Sequence, residues 1–143
     1  MADIKICFDL ARNIDFHTQS LQHSKEKAVS GKTSGLIELG ETVTWEAIHF
    51  GIKQRLTSKI TEYDAPNYFV DEMVSGVFKS FRHEHHFQKE GDYTIIRDKF
   101  SFESPLGLLG KIANKIFLKR YMINLLKTRN EFLKKEAEKL TKN

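Results

Sequence analysis

Two hydrophobic patterns divide the first part of the chain. Ile4, Ile6, Phe8 and Leu10 alternate with less apolar residues, and this period of two predicts a half-buried strand. Residues 12–32 lose the alternation, and their scattered apolar positions predict one or two short helices. The chain is therefore expected to begin as a strand that is followed by helices.

A strand-rich region follows, in which recurrent turn residues separate segments of alternating pattern. Glycine, proline, asparagine and aspartate mark breaks near residues 51, 64–67, 75–76 and 90–91. Connections this short make successive strands antiparallel neighbours. The five predicted strands span residues 41–50, 52–63, 68–74, 77–89 and 93–103.

After Pro105 the hydrophobic period changes from that of a strand to that of a helix. Pro105 suits the first turn of a helix, and Ser104 suits the N-cap position before it. The sequence therefore predicts one long amphipathic helix that runs almost to the C-terminus. Its predicted apolar stripe comprises Leu109, Ile112, Ile116, Ile123, Leu126, Leu133, Ala137 and Leu140.

These elements together predict an α+β fold with about six antiparallel strands. A sheet with one apolar face needs a second layer, and the long helix must supply that layer. A strongly curved sheet that grips one helix is not filled completely by side chains. A cavity is therefore expected between the sheet and the helix, where apolar ligands commonly bind.

Composition indicates a globular protein rather than a disordered or membrane-spanning one. The chain has 143 residues, of which 40% are hydrophobic and 29% are charged, which is sufficient for a single domain over residues 1–143. Cys7 is the single cysteine, and no signal-peptide pattern opens the sequence, so a cytoplasmic location is expected. No apolar run approaches the roughly 20 residues that cross a bilayer, so stable membrane insertion is not expected.

Positive charge is concentrated in the predicted helix. Residues 105–143 carry ten Lys and Arg against three Glu, so the net charge of +4 divides into +7 for this segment and −3 for the rest. A basic segment can bind nucleic acid or anionic lipid, but more often it is the solvated face of a packed helix. Because no nucleic-acid-binding motif accompanies it, we expect no nucleic-acid partner.

Candidate chemistry lies in the hairpin predicted over residues 78–102. Side chains two positions apart on a strand point the same way, so His83 and His85 share a face with Phe81 and Phe87. A turn near residues 90–92 brings an aspartate and further aromatic residues opposite them. The predicted cross-strand pairs are Phe87 with Thr94, His85 with Ile96 and His83 with Asp98.

Two neighbouring strands extend this face. A tight turn at Gly51 sets Leu56 opposite Trp45, and His49 shares the face of Trp45. The register of strand 68–74 stays open. A two-residue turn at residues 75–76 pairs Val70 with Phe81 and turns Glu72 toward the histidines, whereas a one-residue bulge turns Phe69, Asp71 and Met73 there instead.

Three interpretations of the polar set compete. The first is recognition of a ligand's carboxyl, hydroxyl or carbonyl group, in which Asp98 fixes the tautomer of His83. The second is a buried pair that only satisfies its own hydrogen bonds. The third is chemistry: a divalent metal on His83, His85 and either Asp98 or His49, or acid–base catalysis by His83 oriented by Asp98.

Several ordered motifs identify a family resemblance. They are GETVTWEAIHFG at 40–51, FVDE at 69–72, HEHHF at 83–87, Asp98, SPLGLLG at 104–110, YM at 121–122 and RN at 129–130. With these motifs the chain resembles the START-like (SRPBCC) superfamily, which has the helix-grip fold of the birch-pollen allergen. Within it, the chain is similar to a bacterial ligand-binding branch, some members of which are described as related to cell division.

The resemblance implies a helix-grip fold with a deep hydrophobic cavity. Two short helices are expected after the first strand, and the long C-terminal helix is expected to pack over the curved sheet. The superfamily includes lipid and hormone carriers, polyketide cyclase-like enzymes and the catalytic domains of ring-hydroxylating oxygenases. The resemblance therefore implies where a ligand binds, and it does not imply one chemistry.

We expect a monomer or weak homodimer that binds a small hydrophobic or amphipathic molecule without a metal or other cofactor. One alternative is a cyclase- or hydrolase-like enzyme with His83 and Asp98 as its catalytic pair, and another is an interaction module in cell division or stress. The predicted ligand-binding residues are Trp45, His49, Leu56, Val70, Phe81, His83, His85, Ile96, Asp98, Phe100, Leu109, Ile112, Ile116 and Ile123.

Overall fold

A computed structural model describes residues 1–103 and 111–142, with side chains for residues 1–103 and 116–142. The described helices and strands combine in an α+β fold, as predicted. In chain order they are α1 (Ile4–Ala11), α2 (Ile14–Ser20), a short 3₁₀ turn (Gln22–Ser24), β1 (Lys27–Gly31), β2 (Thr42–His49), β3 (Ile52–Asp64), β4 (Tyr68–Ser75), β5 (Ser80–Glu90), β6 (Tyr93–Glu103) and α3 (Lys111–Lys142).

The six strands form one antiparallel sheet in the order β1-β2-β3-β4-β5-β6. The five strands predicted between residues 41 and 103 are confirmed as β2 to β6, with ends that differ by at most a few residues. Strand order follows chain order, and from β2 to β6 this is because short connections force each strand beside its predecessor. Helices α1 and α2 contact α3, so all three helices pack together on the sheet.

The predicted first strand is wrong, because residues 4–11 form helix α1. Ile4, Cys7, Phe8 and Ala11 have the i, i+3, i+4, i+7 spacing of a helix face, and the last three are buried. Asp3 caps the helix by accepting a hydrogen bond from the backbone N–H of Lys5 at 2.8 Å. Alternation and helical spacing coexist in this short segment, and the buried helical face is the arrangement that packs.

The sixth strand comes from a different place in the sequence. Strand β1, Lys27–Gly31, lies within the segment predicted to be helical, and it pairs with β2 through Ala28 opposite Trp45. The two short helices therefore precede the first strand, whereas they were expected to follow it. The core between helices and sheet centres on Phe8, whose ring meets the rings of Tyr63, Phe69 and Phe87 edge-on.

The turns determine the register of two strand pairs for which the sequence made a prediction, β2–β3 and β5–β6. The pairing of Trp45 with Leu56 is confirmed. In the β5–β6 hairpin the prediction is wrong by two residues, because Glu90 pairs directly with Tyr93 across a two-residue turn that includes Gly91 at φ +59°. A shift of two residues keeps each side chain on its face. The observed pairs are Phe87 with Ile96, His85 with Asp98 and His83 with Phe100.

The β4–β5 register follows the second of the two alternatives. Asp71 lies opposite His83, and Phe69 lies opposite His85. The connection between these strands spans residues 76–79, so it is longer than the two-residue turn on which the Val70–Phe81 pairing depended. Val70 pairs with Glu84 on the other face of the sheet.

Candidate functional site

A cavity of about 450 Å³ lies between the sheet, the N-terminal helices and α3. Strand β2 contributes Val43, Trp45, Ala47 and His49, which share a face because they alternate along the strand. Most of the wall is apolar. Further apolar lining residues include Ile14, Leu21, Ile37, Leu56, Phe69, Phe81, Phe100, Phe117, Leu118, Met122, Leu125 and Leu126.

One polar group of the cavity, the strand cluster, consists of Asp71, His83, His85 and Asp98 on β4, β5 and β6. His83 Nε2 lies 2.8 Å from Asp98 Oδ1, and His85 Nδ1 lies 3.2 Å from the same oxygen. His85 Nε2 lies 2.7 Å from Asp71 Oδ1, while His83 Nδ1 lies 3.8 Å from that atom. Each carboxylate therefore contacts both imidazoles. The centres of the two imidazole rings lie 3.8 Å apart.

Helix α3 closes the strand cluster from the other side. Arg129 is buried, with Nη1 3.7 Å from Asp98 Oδ1 and Nη2 donating to the carbonyl oxygen of Ala11 at 3.0 Å. The side-chain amide of Asn130 donates a hydrogen bond to Asp98 Oδ2. Asp98 consequently joins β6 to α3 and, through Arg129, to α1.

The charge state of the strand cluster follows from burial and contacts. Burial, together with the neighbouring His85, lowers the pKa of His83 to about 4 despite its contact with Asp98. Burial alone would raise the pKa of Asp98, but hydrogen bonds from His83 and His85 and the charge of Arg129 hold it well below its usual range. The pKa of Asp71 is likewise lowered, because contacts with the histidines outweigh its burial. Both carboxylates are therefore ionised at neutral pH.

A second polar group, the mixed cluster, consists of His17, Glu26, His49 and Tyr121. His17 Nε2 lies 2.7 Å from Glu26 Oε1, and the His17 ring packs on Trp45 with ring centres 4.3 Å apart. His49 Nδ1 forms a hydrogen bond with the Tyr121 hydroxyl. Burial would raise the pKa of Glu26, but the charge of His17 and its hydrogen bond lower it. Burial lowers the pKa of His49.

The cavity brings together half of the predicted ligand-binding residues. Asp98 does not line the wall but contacts both histidines that do. Ile96 pairs with Phe87 and packs on the core around Phe8, and Val70 lies on the opposite face of the sheet. The predicted residues that line the cavity are Trp45, His49, Leu56, Phe81, His83, His85 and Phe100.

The predicted helix contacts are the least accurate part of the site. Ile116 and Ile123 are 55% and 41% exposed, so they do not face the sheet. Leu109 lies outside the described residues, as does the side chain of Ile112. The apolar residues of α3 occupy more than one side, so its sequence did not define which side packs. The observed lining residues of α3 are Phe117, Leu118, Tyr121, Met122, Leu125, Leu126 and Arg129.

Several polar lining residues, among them His17, Glu26, Tyr121 and Arg129, are absent from the set predicted from the sequence. His17 and Glu26 lie in a segment without periodicity, where no pattern shows which side chains point inward. Tyr121 and Arg129 belong to the YM and RN motifs, which were the available signal for them, but the sequence assigned them no role.

None of the described helices has an apolar stretch sufficient to cross a bilayer.

Comparisons with known proteins identify the fold. No family model and no curated protein matches the sequence. The structure of TTHA0849 from Thermus thermophilus matches with a TM-score of 0.72 and 20% identity, over 95% of this chain and 92% of that chain. Major latex-like protein 151 from Panax ginseng matches with a TM-score of 0.68 and 13% identity, over 95% of this chain and 90% of that chain. Ara h 8.0201 matches with a TM-score of 0.64 and 11% identity, over 92% of this chain and 90% of that chain.

These similarities, together with the six-stranded antiparallel sheet and the long C-terminal helix, establish the helix-grip fold that the sequence motifs predicted. At identities of 20% and below they concern the fold alone. The ligand and the chemistry must be argued from the cavity of this chain.

Proposed function

We propose that residues 1–143 form one domain that binds a small hydrophobic or amphipathic molecule in the cavity between sheet and α3. The observation that carries the proposal is the cavity itself, about 450 Å³ in volume with a mostly apolar wall. Small-molecule sites typically occupy roughly 300–1,000 Å³ and combine apolar walls with a few polar groups. The resemblance to a superfamily that contains lipid and hormone carriers supports the same function.

The apolar part of the ligand packs against aromatic and aliphatic side chains of both layers. Trp45, Leu56 and Phe81 contribute from the sheet, and Met122 and Leu125 contribute from α3. Each Å² of apolar surface removed from water contributes about 25 cal/mol. A ligand that fills this volume is therefore held mainly by hydrophobic burial, which selects for shape and size rather than for one functional group.

The two polar clusters orient the ligand. The strand cluster carries two carboxylates and contacts only one buried arginine, Arg129, so it favours a hydrogen-bond donor or a cationic group over a ligand carboxylate. In the mixed cluster His49 and Tyr121 hold each other, and either group is able to accept or donate a second hydrogen bond. An alcohol, phenol or amine on an apolar skeleton suits this arrangement.

Trp45 allows a direct test of binding. It is the single tryptophan of the chain and it lines the cavity, so a bound ligand changes its fluorescence. We expect saturable changes when the protein is titrated with the uncharged apolar dye N-phenyl-1-naphthylamine and with long-chain alcohols. Native mass spectrometry of the freshly purified protein should also show a co-purified small molecule.

A matched pair of substitutions locates the binding. Ala47→Phe fills part of the cavity and should weaken dye binding by about tenfold or more, the equivalent of about 1.4 kcal/mol. Ile48→Phe adds an aromatic ring at the next position, which is exposed, and should leave the affinity unchanged. Equal effects of the two substitutions, or an absence of saturable binding by the unmodified protein, would refute the proposal.

The His83–Asp98 contact of 2.8 Å favours a second candidate, an enzyme that uses His83 as an acid–base group. His83 lines the cavity, and its Nδ1 is the ring nitrogen that does not contact Asp98. A His83→Gln variant tests this hypothesis. If it retains dye affinity while turnover of a cyclisable or hydrolysable substrate is lost, the cavity is catalytic; without turnover in the unmodified protein, binding remains the function.

A further inference from the structure

Three ligating atoms of the strand cluster converge on one point of the cavity wall. Asp71, His83 and His85 each offer one ligating atom, and these three atoms all lie within 4.8 Å of one another. The distances from Asp71 Oδ1 are 2.7 Å to His85 Nε2 and 3.8 Å to His83 Nδ1. A metal ion with ligand bonds of about 2.0–2.2 Å spans separations of this size with small side-chain adjustments.

Asp98 holds both imidazoles in the orientation that such a site requires. Its Oδ1 accepts a hydrogen bond from His83 Nε2 at 2.8 Å and lies 3.2 Å from His85 Nδ1. In the metal-bound protein the N–H of each neutral ring lies on the side of Asp98, and the lone pairs lie on His83 Nδ1 and His85 Nε2, the two atoms that face Asp71. Histidine ligands of metals characteristically donate their other N–H to a carboxylate in this way.

Asp98 is itself fixed, and it is separated from the cavity. Asn130 and Arg129 contact it from α3, and it does not line the wall, whereas Asp71, His83 and His85 do. The sequence alone offers Asp98 or His49 as a third ligand. The observed register instead gives Asp71 that position and makes Asp98 the group that orients the ligands.

The charge balance also favours a cation. Two carboxylates, Asp71 and Asp98, face one guanidinium, Arg129, and imidazoles are neutral when they bind a metal, so the metal would meet a group with one net negative charge. These charges are buried or nearly so, which makes an unneutralised charge costly. In the metal-free protein a proton lies in the 2.7 Å contact between His85 Nε2 and Asp71 Oδ1. A divalent ion between Asp71 and the histidines displaces this proton and compensates the second carboxylate.

We propose that Asp71, His83 and His85 bind one divalent transition-metal ion, of the Zn²⁺ or Fe²⁺ class, at the wall of the cavity. Two imidazoles and one carboxylate are donors that these ions favour, and three protein ligands leave coordination positions open toward the cavity. A polar group of the cavity ligand completes the coordination. This inference departs from the sequence expectation that the protein holds no metal.

Cobalt provides a direct test, because Co²⁺ bound by nitrogen and oxygen donors absorbs visible light. The protein is first freed of metal with a chelator and then titrated with Co²⁺ and, in competition, with Zn²⁺. We expect one ion per chain, displacement of Co²⁺ by Zn²⁺, and an X-ray absorption spectrum that contains two imidazole ligands. Absence of stoichiometric binding, or a spectrum without imidazole scattering, would overturn the proposal without any variant.

Variants identify the ligands. Asp71→Asn keeps the shape and a hydrogen-bond acceptor for His85 but removes the charged donor, and it should abolish stoichiometric binding. Asp98→Asn should weaken it by about 10–100-fold, the usual effect of losing the group that orients a metal ligand. His86→Ala removes the exposed histidine on the outer face, which contacts Glu84, and should leave the affinity unchanged.

The controls distinguish this site from adventitious binding and from the proposed cavity function. If Asp71→Asn binds Co²⁺ as tightly as the unmodified protein, or if His86→Ala loses binding to the same extent, the assignment fails. Thermal denaturation of each metal-free variant shows that the fold is retained. Dye binding reported by Trp45 is measured on the metal-free protein, so either function is able to fail while the other holds.

Discussion

The two polar clusters of the cavity differ in how they are built. The strand cluster takes all four residues from adjacent strands, and each of its carboxylates contacts more than one partner. The mixed cluster takes its residues from α2, the segment before β1, strand β2 and α3, and its two short contacts are single pairs. One cluster is fixed by hydrogen-bonded strand register, and the other depends on how separate elements pack.

This difference assigns the clusters different roles. Register fixes the positions of backbone atoms closely, so groups on adjacent strands suit a task that demands exact ligand geometry, such as holding an ion. Contacts between helices and sheet adjust more readily when a ligand enters. Under the proposed function, the strand cluster would be the fixed point of the cavity, and the mixed cluster would adapt to the ligand.

Removal of Asp98 should produce the largest loss of stability. Asp98→Ala leaves Arg129, His83 and His85 buried without their shared acceptor, and breaking a buried ion pair from one side costs about 3–5 kcal/mol. The corresponding removal in the mixed cluster, Glu26→Ala, leaves only His17 without its acceptor and should cost about 1–3 kcal/mol. Urea denaturation in the presence of a chelator measures both free energies of unfolding.

The exposed turn residue Asp92 provides the control for this comparison. Asp92→Ala should change the free energy of unfolding by less than about 0.5 kcal/mol. If Glu26→Ala destabilises the protein as much as Asp98→Ala does, the two clusters are equally integrated and the contrast between them is wrong.

The difference between a cluster fixed by strand register and one that depends on packing also explains which site residues the sequence predicted. Alternation on one strand placed His83 and His85 together, and the two-residue error in register did no harm because it preserved the face. Asp71 depended on the length of the β4–β5 connection, so the sequence left it as one of two alternatives. The sequence therefore predicted two of the three proposed metal ligands, His83 and His85. The third, Asp71, could be assigned only from the observed β4–β5 register.

Tertiary packing decided the parts that the sequence did not predict. Residues 4–11 fit both a strand and a helix, and burial of Phe8 against three aromatic rings selects the helix. His17 and Glu26 meet only because α2 packs beside the start of β1. The phase of α3 is set by groups such as Arg129, whose partners lie on distant elements.

A smaller effect is expected from pH in the mixed cluster. Burial lowers the folded-state pKa of His49 below the ordinary value of about 6.5, so the unfolded state binds a proton first as the pH falls. The contribution of His49 is therefore complete above about pH 6.5 and is lost as the pH falls through this value toward the folded-state pKa.

His49→Gln removes this titration while retaining a group able to hydrogen-bond to Tyr121. Denaturation at about pH 7.5 and at about pH 5.5, both chosen around the ordinary histidine pKa of about 6.5, should show that the unmodified protein loses more stability than the variant. His86→Gln, on the exposed outer face, should follow the unmodified protein. Parallel pH dependence in the unmodified protein and His49→Gln would show that this histidine is not held in its neutral form.

The smallest effect is expected from Ile123→Ser on α3, the helix that contacts the strand cluster through Arg129 and Asn130 and supplies Tyr121 to the mixed cluster. Ile123→Ser replaces a residue that is 41% exposed and should change the free energy of unfolding by less than about 0.5 kcal/mol. Leu133→Ala, a truncation at a fully buried position of the same helix, should cost about 2–5 kcal/mol. A costly Ile123→Ser would mean that α3 packs with a different face inward, and the contacts of both clusters with this helix would then have to be reassigned.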